Sequence, residues 1–310
     1  MSSNVAFVFP GQGSQSVGML ADLSAKHAVV IETFAQASEV LDYDLWQLVQ
    51  NDENHQLNQT HITQPALLSA SVALWRLWLA QGGAAPSVMA GHSLGEYSAL
   101  VCAGALDFAD AIRLVEARGQ YMQAAVPAGE GAMAAIIGLD DAAIADACKS
   151  SAQGQVVAPV NYNSPGQVVI AGSKAAVERA MLACKEAGAK RALPLPVSVP
   201  SHCALMQPAA EKLSTLLATI PVRTPTIHVI QNVDAQVAAS ADTIVSNLIA
   251  QLHQPVLWSK CIESIAASGV ELVVECGPGK VLNGLTKRIE KTLQTASIND
   301  VASLAATLEY

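Results

Sequence analysis

The stretch Val88-Met89-Ala90-Gly91-His92-Ser93-Leu94-Gly95-Glu96-Tyr97 places a serine between two glycines where an apolar run gives way to a helix-forming one. That is the pattern of a nucleophile elbow. A serine hydroxyl attacks only when a base takes its proton, so it must stand on a tight turn, clear of its own backbone and facing a histidine. Gly91 and Gly95 leave that room, residues 87–90 predict a buried strand, and residues 94–103 predict the helix that follows. Ser93 would then stand at a helix N-terminus, where free amides and the helix dipole favour a developing oxyanion. The same glycine–serine pattern also fits an ordinary strand-to-helix turn whose serine only caps the helix.

Seven histidines could supply the base. The side chain of His92, next to Ser93, should point away from it, which suits a structural role. His27, His55 and His61 lie in polar or helix-flanking segments, His228 falls in a short strand, and His253 sits at a helix end. His202 differs. It lies in Val199-Pro200-Ser201-His202-Cys203, an extended segment stiffened by Pro194, Pro196 and Pro200, just ahead of a predicted helix. A helix N-terminus disfavours imidazolium, which would leave His202 neutral and able to accept a proton. A loop histidine bonded to backbone is the plainer alternative. No acid between Ser93 and His202 stands out as a third triad member, so a backbone carbonyl is the alternative orienter.

On the predicted helix from Asp107 to Val126, Arg118 falls within the apolar stripe of Ala111, Val115, Met122 and Val126. A guanidinium on a buried face needs an anion, and its fork fits a carboxylate. That anion is either a buried Asp or Glu, or the carboxylate of a substrate.

Strand-like and helix-like segments alternate around these residues, which predicts an α/β fold with a mainly parallel sheet between helices. Residues 5–9 form the first strand, with helices at 28–41 and 65–80. Residues 131–197 change to a β-α-β-β-α-β order, with pieces at 131–139, 142–150, 156–162, 167–171, 174–187 and 189–197 and a turn at Asn163-Ser164-Pro165-Gly166. This is the ferredoxin-like order. The expected organisation is a large domain of residues 1–127 and 198–310, with a subdomain of 128–197 inserted. Alternation resumes with helix 204–219, strand 226–230, helices 242–252 and 258–267, strand 270–275 and helix 280–290.

With 51% hydrophobic and 14% charged residues among 310, the chain is no disordered polymer and can bury a large core. No apolar run reaches the roughly 20 residues of a membrane span. Met-Ser-Ser-Asn-Val carries no basic region of a secretion signal, and six cysteines stand singly without Cys-x-x-Cys, which fits the reducing cytoplasm and no metal. A net charge of -9 argues against nucleic acid. Two basic clusters interrupt the acidic background: Lys185, Lys190 and Arg191, and Lys280, Lys287, Arg288 and Lys291. They are either solvated helix charges or a landing site for an acidic partner.

Taken in order, Phe9-Pro10-Gly11-Gln12-Gly13-Ser14-Gln15, Gly91-His92-Ser93-Leu94-Gly95-Glu96-Tyr97, Arg118-Gly119, Val160-Asn161-Tyr162-Asn163-Ser164-Pro165-Gly166-Gln167, Val199-Pro200-Ser201-His202 and Gly277-Pro278-Gly279 resemble the malonyl-CoA:acyl carrier protein transacylase family along the whole chain. The resemblance implies a hydrolase-like layered domain with an inserted ferredoxin-like subdomain. It makes Ser93 the acylated nucleophile and His202 its base. The Gln12 and Leu94 amides would form the oxyanion hole, Arg118 would hold the malonyl carboxylate, and the Gln251 carbonyl would orient His202. Asn163 lies in a matching motif without a firm role. The family implies a ping-pong transfer supplying fatty acid synthesis, with the CoA thioester as substrate and no metal or redox cofactor. Malonyl-CoA and acyl carrier protein are the implied partners, the carrier approaching through Lys190, Arg191, Lys280, Lys287 and Arg288. Two departures stand out: Cys276 precedes Gly-Pro-Gly, and His253 follows Gln251 closely enough to disturb its loop.

Four rival readings stand beside this one. A thioesterase would send water against the same acyl-serine, and a transacylase of polyketide synthesis would change only the carrier. A nucleotide-binding protein would use Gly11-x-Gly13-x-x-Ser16 with Glu32 about 20 residues on, although the third glycine is missing. A silent scaffold would leave serine, histidine and arginine unexplained.

Overall fold

The computed structural model describes residues 4–197 and 199–310. Met1 to Ser3, read above for a secretion signal, and Ser198, assigned above as the first residue of the returning large domain, lie outside the described residues. Nine strands are found among the described residues: β1 (Val5–Phe9), β2 (Val88–Gly91), β3 (Gly131–Ile137), β4 (Val157–Ser164), β5 (Gln167–Ser173), β6 (Arg191–Pro194), β7 (His228–Ile230), β8 (Leu272–Glu275) and β9 (Gln294–Ser297). They make two sheets. The first, ordered β7-β2-β1-β8-β9, is parallel at each pairing. The second, ordered β4-β5-β3-β6, is antiparallel throughout.

The parallel sheet is covered on both faces because its central strands are apolar at every position but the buried Glu275 at the end of β8. Along β1 the period-two alternation sends Phe7 and Phe9 into one core with Met89 and Val274, and Ala6 and Val8 into another with Val88, Ala90 and Val273. Helices α1 (Ala21–Ser24), α2 (Ala28–Leu41), α3 (Leu45–Asn51), α4 (Thr60–Ala80), α5 (Leu94–Cys102), α6 (Phe108–Ala125), α9 (Gln207–Leu217) and α10 (Ala241–Gln251) gather on the first side, and α11 (Trp258–Ala267) and α12 (Val281–Ile289) on the second. The small subdomain places α7 (Asp141–Ser151) and α8 (Lys174–Glu186) over one face of its sheet, and its strand order is the ferredoxin-like one. The last helix, α13 (Val301–Leu308), returns to the large core. No helix among the described residues is long and apolar enough to cross a membrane.

Several boundaries differ from the sequence expectation. Helix α4 begins at Thr60 rather than at residue 65 and carries Pro65 in its second turn. The strand expected over 189–197 is shorter, Arg191–Pro194; Leu195 N still donates across to Met133 O at 2.9 Å, and Pro196, whose nitrogen cannot donate, follows. The helix expected over 204–219 divides into a short 3-10 turn, Ala204–Met206, and α9, so His202 stands five residues ahead of the α-helix rather than at its N-terminus. Helix α3, edge strand β9 and α13 were not expected; β9 reads Gln-Thr-Ala-Ser and carries no apolar alternation.

Candidate active site

Ser93 follows β2 directly and precedes the first residue of α5, with φ 51° and ψ −108°. A serine rarely adopts that region, and holding it there costs on the order of 1–3 kcal/mol. The glycines on either side are required by close approach. A Cβ on Gly91 would stand 1.9 Å from the Gly95 carbonyl, and one on Gly95 would stand 2.0 Å from the Phe9 carbonyl oxygen. Strand, turn and helix therefore pack backbone to backbone, which forces the serine outward.

His202 reaches the same point from the returning chain. Its backbone amide donates to Leu252 O at 3.0 Å, and its ring Nδ1 lies 2.6 Å from Gln251 O, the last residue of α10. A carbonyl can only accept, so Nδ1 carries the proton and Nε2 presents its lone pair. Ser93 Oγ lies 2.8 Å from that Nε2. Burial, and next the Arg118 charge, push the His202 pKa down to about 3, so the ring is neutral at ordinary pH. The helix dipole invoked from sequence is not the cause, since no α-helix starts there.

Arg118 is 1% exposed. Its Nη1 donates to Gln64 Oε1 (2.8 Å) and its Nη2 to Gln251 Oε1 (2.9 Å) and, at 3.3 Å, to Ser93 Oγ. Its guanidinium carbon lies 5.3 Å from the Tyr97 ring centroid. Close helix contact makes this possible: a Cβ on Gly119 would meet His61 Cα at 2.5 Å, so α6 lies hard against the start of α4 and brings Gln64 to Arg118. Among the described residues the one ion pair is Arg113–Asp110, on the surface. The structural salt bridge offered as an alternative for Arg118 is therefore absent there: its bonded partners are neutral amides and a hydroxyl, and its Nε is buried without a partner. Burial also lowers the pKa of this guanidinium.

Ser93, His202 and Arg118 open onto a cavity of about 120 Å³ that Gln12 and Leu94 also line. Its remaining wall includes Met122, Met133, Leu195, Val197 and Val199. The backbone amides of Gln12 and Leu94 donate to no other backbone carbonyl among the described residues. Gln12 sits on the loop after β1, and the nearest following helix is α1 at Ala21, so the Gly11–Gly13 loop opens no helix as dinucleotide binding requires. Instead Gly11 packs on the His92 carbonyl, where a Cβ would approach to 2.5 Å.

His92 Nε2 donates to Asn163 Oδ1 at 2.8 Å, and its ring lies 5.4 Å from that of Trp258. Asn163 thus ties the small subdomain to the elbow. His253 is half-buried, and its amide bonds Ala250 O without altering the Gln251 contacts. Two site residues had no sequence signal. Gln64 lies in the unforeseen first turns of α4. Asn232, fully buried after β7, donates from Nδ2 to Gly91 O (2.6 Å) and accepts from Ser93 N (2.7 Å). Glu96, also buried, accepts from Asn232 N (2.6 Å) and Gln231 Nε2 (3.3 Å), and burial raises its pKa to about 8.

The family model of the acyl transferase domain matches residues 6–309. The chain belongs to the acyl transferase family. This acyl transferase is 65% identical to the malonyl CoA-acyl carrier protein transacylase of Escherichia coli K12, over 98% of each chain, and 44% identical to that of Bacillus subtilis, over 99% and 97%. A crystal structure of an acyl carrier protein S-malonyltransferase from Vibrio cholerae superimposes with a TM-score of 0.96 at 65% identity, covering 98% of this chain and 99% of that one. A malonyl-transacylase solved in complex with its type II polyketide acyl carrier protein superimposes with a TM-score of 0.98 at 62% identity, covering 99% of each.

The two basic clusters of the acyl transferase converge. Lys190 packs on Gly138, Gly138 meets Gly166, and Arg288 Nη1 donates to Gln167 Oε1 at 2.6 Å. Lys190, Arg191, Lys280, Lys287 and Arg288 are all exposed.

Proposed function

We propose that this enzyme moves a malonyl group from malonyl-CoA to the phosphopantetheine thiol of an acyl carrier protein, through a malonyl ester on Ser93. The observation that carries the reading is the Arg118 guanidinium, buried, without a carboxylate partner among the described residues, and 3.3 Å from the nucleophile. A buried cation left on neutral amides is a receptor for an anion that arrives with the substrate. A plain thioesterase has no use for it.

In the first half-reaction Ser93 Oγ attacks the thioester carbon while His202 Nε2 takes its proton. The Gln251 carbonyl holds the Nδ1 proton and steadies the imidazolium, in the place a triad acid would occupy. The Gln12 and Leu94 amides receive the oxyanion. His202 then returns its proton to the departing CoA thiolate, and the ester remains. In the second half-reaction His202 takes the proton of the carrier thiol, its sulfur attacks the ester, and Ser93 leaves with that proton. The steps draw on no metal or redox cofactor.

The converging basic patch is the landing site for the carrier in this reading, and net acidity elsewhere keeps nucleic acid away. The cysteines, all free and five of them buried, support a cytoplasmic location. The carrier is that of fatty acid synthesis. A polyketide carrier is the second reading, favoured by the neighbour solved with one; transfer rates onto the two carriers separate them. Initial rates varied in both substrates should give parallel reciprocal lines, with slow malonyl-CoA hydrolysis when carrier is omitted. Intersecting lines would overturn the covalent route, and fast hydrolysis would restore the thioesterase.

A further inference from the structure

Behind the elbow lies a carboxamide that no step above employs. Strand β7 pairs with β2 only as far as Ile230 and Ala90. Two residues later the Asn232 side chain continues that ladder, donating to Gly91 O and accepting from Ser93 N. It thereby spans the peptide units on both sides of His92. Its own backbone is fixed as well: the amide donates to Glu96 Oε2, and the carbonyl accepts from Leu257 N at 2.9 Å. Gln251 Nε2, which donates to Ser93 O at 3.1 Å, also lies 3.5 Å from Asn232 Oδ1. No side chain caps α5 at Ser93, so Asn232 is the side chain that holds the Ser93 amide.

We propose that Asn232 is a positioning residue for acyl transfer, holding the Gly91–Ser93 turn in the conformation that aims Oγ at His202, with Glu96 fixing Asn232 from behind. The inference rests on Ser93 being the acylated residue. Without the two side-chain bonds the turn relaxes and Oγ drifts from Nε2. Arg118 keeps Gln64 and Gln251, so substrate binding changes little while the chemical step slows.

The test is single-turnover loading of Ser93 by malonyl-CoA, read by intact mass at several substrate concentrations and pH values. The proteins compared are wild type, Asn232→Ala and Asn232→Asp, with melting curves to confirm folding. Asn232→Ala should lower the maximal loading rate about 100-fold with the half-saturating concentration nearly unchanged. Asn232→Asp keeps the acceptor for Ser93 N but sets a second oxygen against the Gly91 carbonyl, where it bonds only when protonated. Its rate relative to wild type should therefore rise about tenfold as pH falls from 8 to 6. The charged or titratable groups around it are Glu96 and Tyr97 on α5, His92 within the turn, Arg118 on α6, Asp234 beside Asn247, Cys261 on α11 and His202, and all are present in both proteins. Glu96, which accepts from the residue 232 amide and has a pKa of about 8, couples to the carboxyl introduced at position 232, so the pH dependence of the ratio reports that pair. Loading of Asn232→Ala at the wild-type rate would overturn the proposal. If that variant fails to fold, a pH-independent ratio for Asn232→Asp would overturn it instead. A wild type that takes no malonyl adduct would overturn the reading of Ser93 itself, which is a distinguishable result.

Discussion

The wall of the cavity that carries Ser93 is a lattice of buried polar groups bonded to one another, running from Gln64 through Arg118 and Gln251 to Asn232 and Glu96. The wall contributed by the small subdomain and the segment leaving it is apolar at Met133, Leu195 and Val197, with Asn161 of β4 its one polar member, and Leu195 and Val197 are half-buried. The contrast separates two tasks. Polar groups bonded to one another in a low-dielectric interior are held in one arrangement, which suits a nucleophile, a base and an anion receptor that must not move, and the Arg118 Nε left without a partner is spare capacity for the anion. Apolar side chains without directional bonds tolerate different bodies sliding past, which suits a site that must admit a CoA arm and then a carrier arm. Changes on the first wall should therefore alter rate and acyl selectivity steeply, and changes on the second should alter apparent affinity mildly.

The steepest break is Ser93→Ala, or His202→Ala, which should lower transfer by about 1,000-fold or more while leaving the melting temperature close to wild type, as steady-state assays would show. Next is Arg118→Ala. Losing the charged fork should lower malonyl transfer about 100-fold, on the order of 3 kcal/mol, and turn preference toward acetyl-CoA. Unchanged malonyl preference in a competition assay would remove Arg118 as the clamp.

The His202 pKa, near 3 when folded against 6.5 when unfolded, gives a pH effect whose sign is fixed. Its stability contribution is whole above pH 6.5 and is lost as pH falls toward 3, because the unfolded chain binds the proton more readily. Denaturant titrations should show His202→Gln losing less stability than wild type between pH 7 and pH 4. An equal loss would contradict a neutral, buried ring. The smallest effect belongs to the apolar wall: Val197→Ala should change KM by less than about fivefold, corresponding to about 1 kcal/mol of apolar contact, with kcat nearly constant.

Much of this was legible in the chain because close packing leaves a signature in residue type. Gly91 and Gly95 mark the elbow since any Cβ there would enter a backbone, and the apolar stripe of α6 marks Arg118 as out of place. His202 was legible from the prolines around it, although burial and Arg118, rather than a helix dipole, keep it neutral. Gln251 came only through resemblance, because a backbone carbonyl acts through position and any residue type supplies one. Gln64 and Asn232 are ordinary amides whose importance lies in contacts over 54 and 139 residues of sequence, which no local spacing encodes. The edge strand β9 escaped for a related reason, being short, polar and paired on one side only.

Mixing wild type and Ser93→Ala briefly with malonyl-CoA, reading intact mass, and then adding holo acyl carrier protein tests the account most directly. The account predicts one malonyl adduct on wild type alone, discharged onto the carrier thiol. An adduct that also forms on Ser93→Ala, or one that the carrier cannot remove, would contradict it.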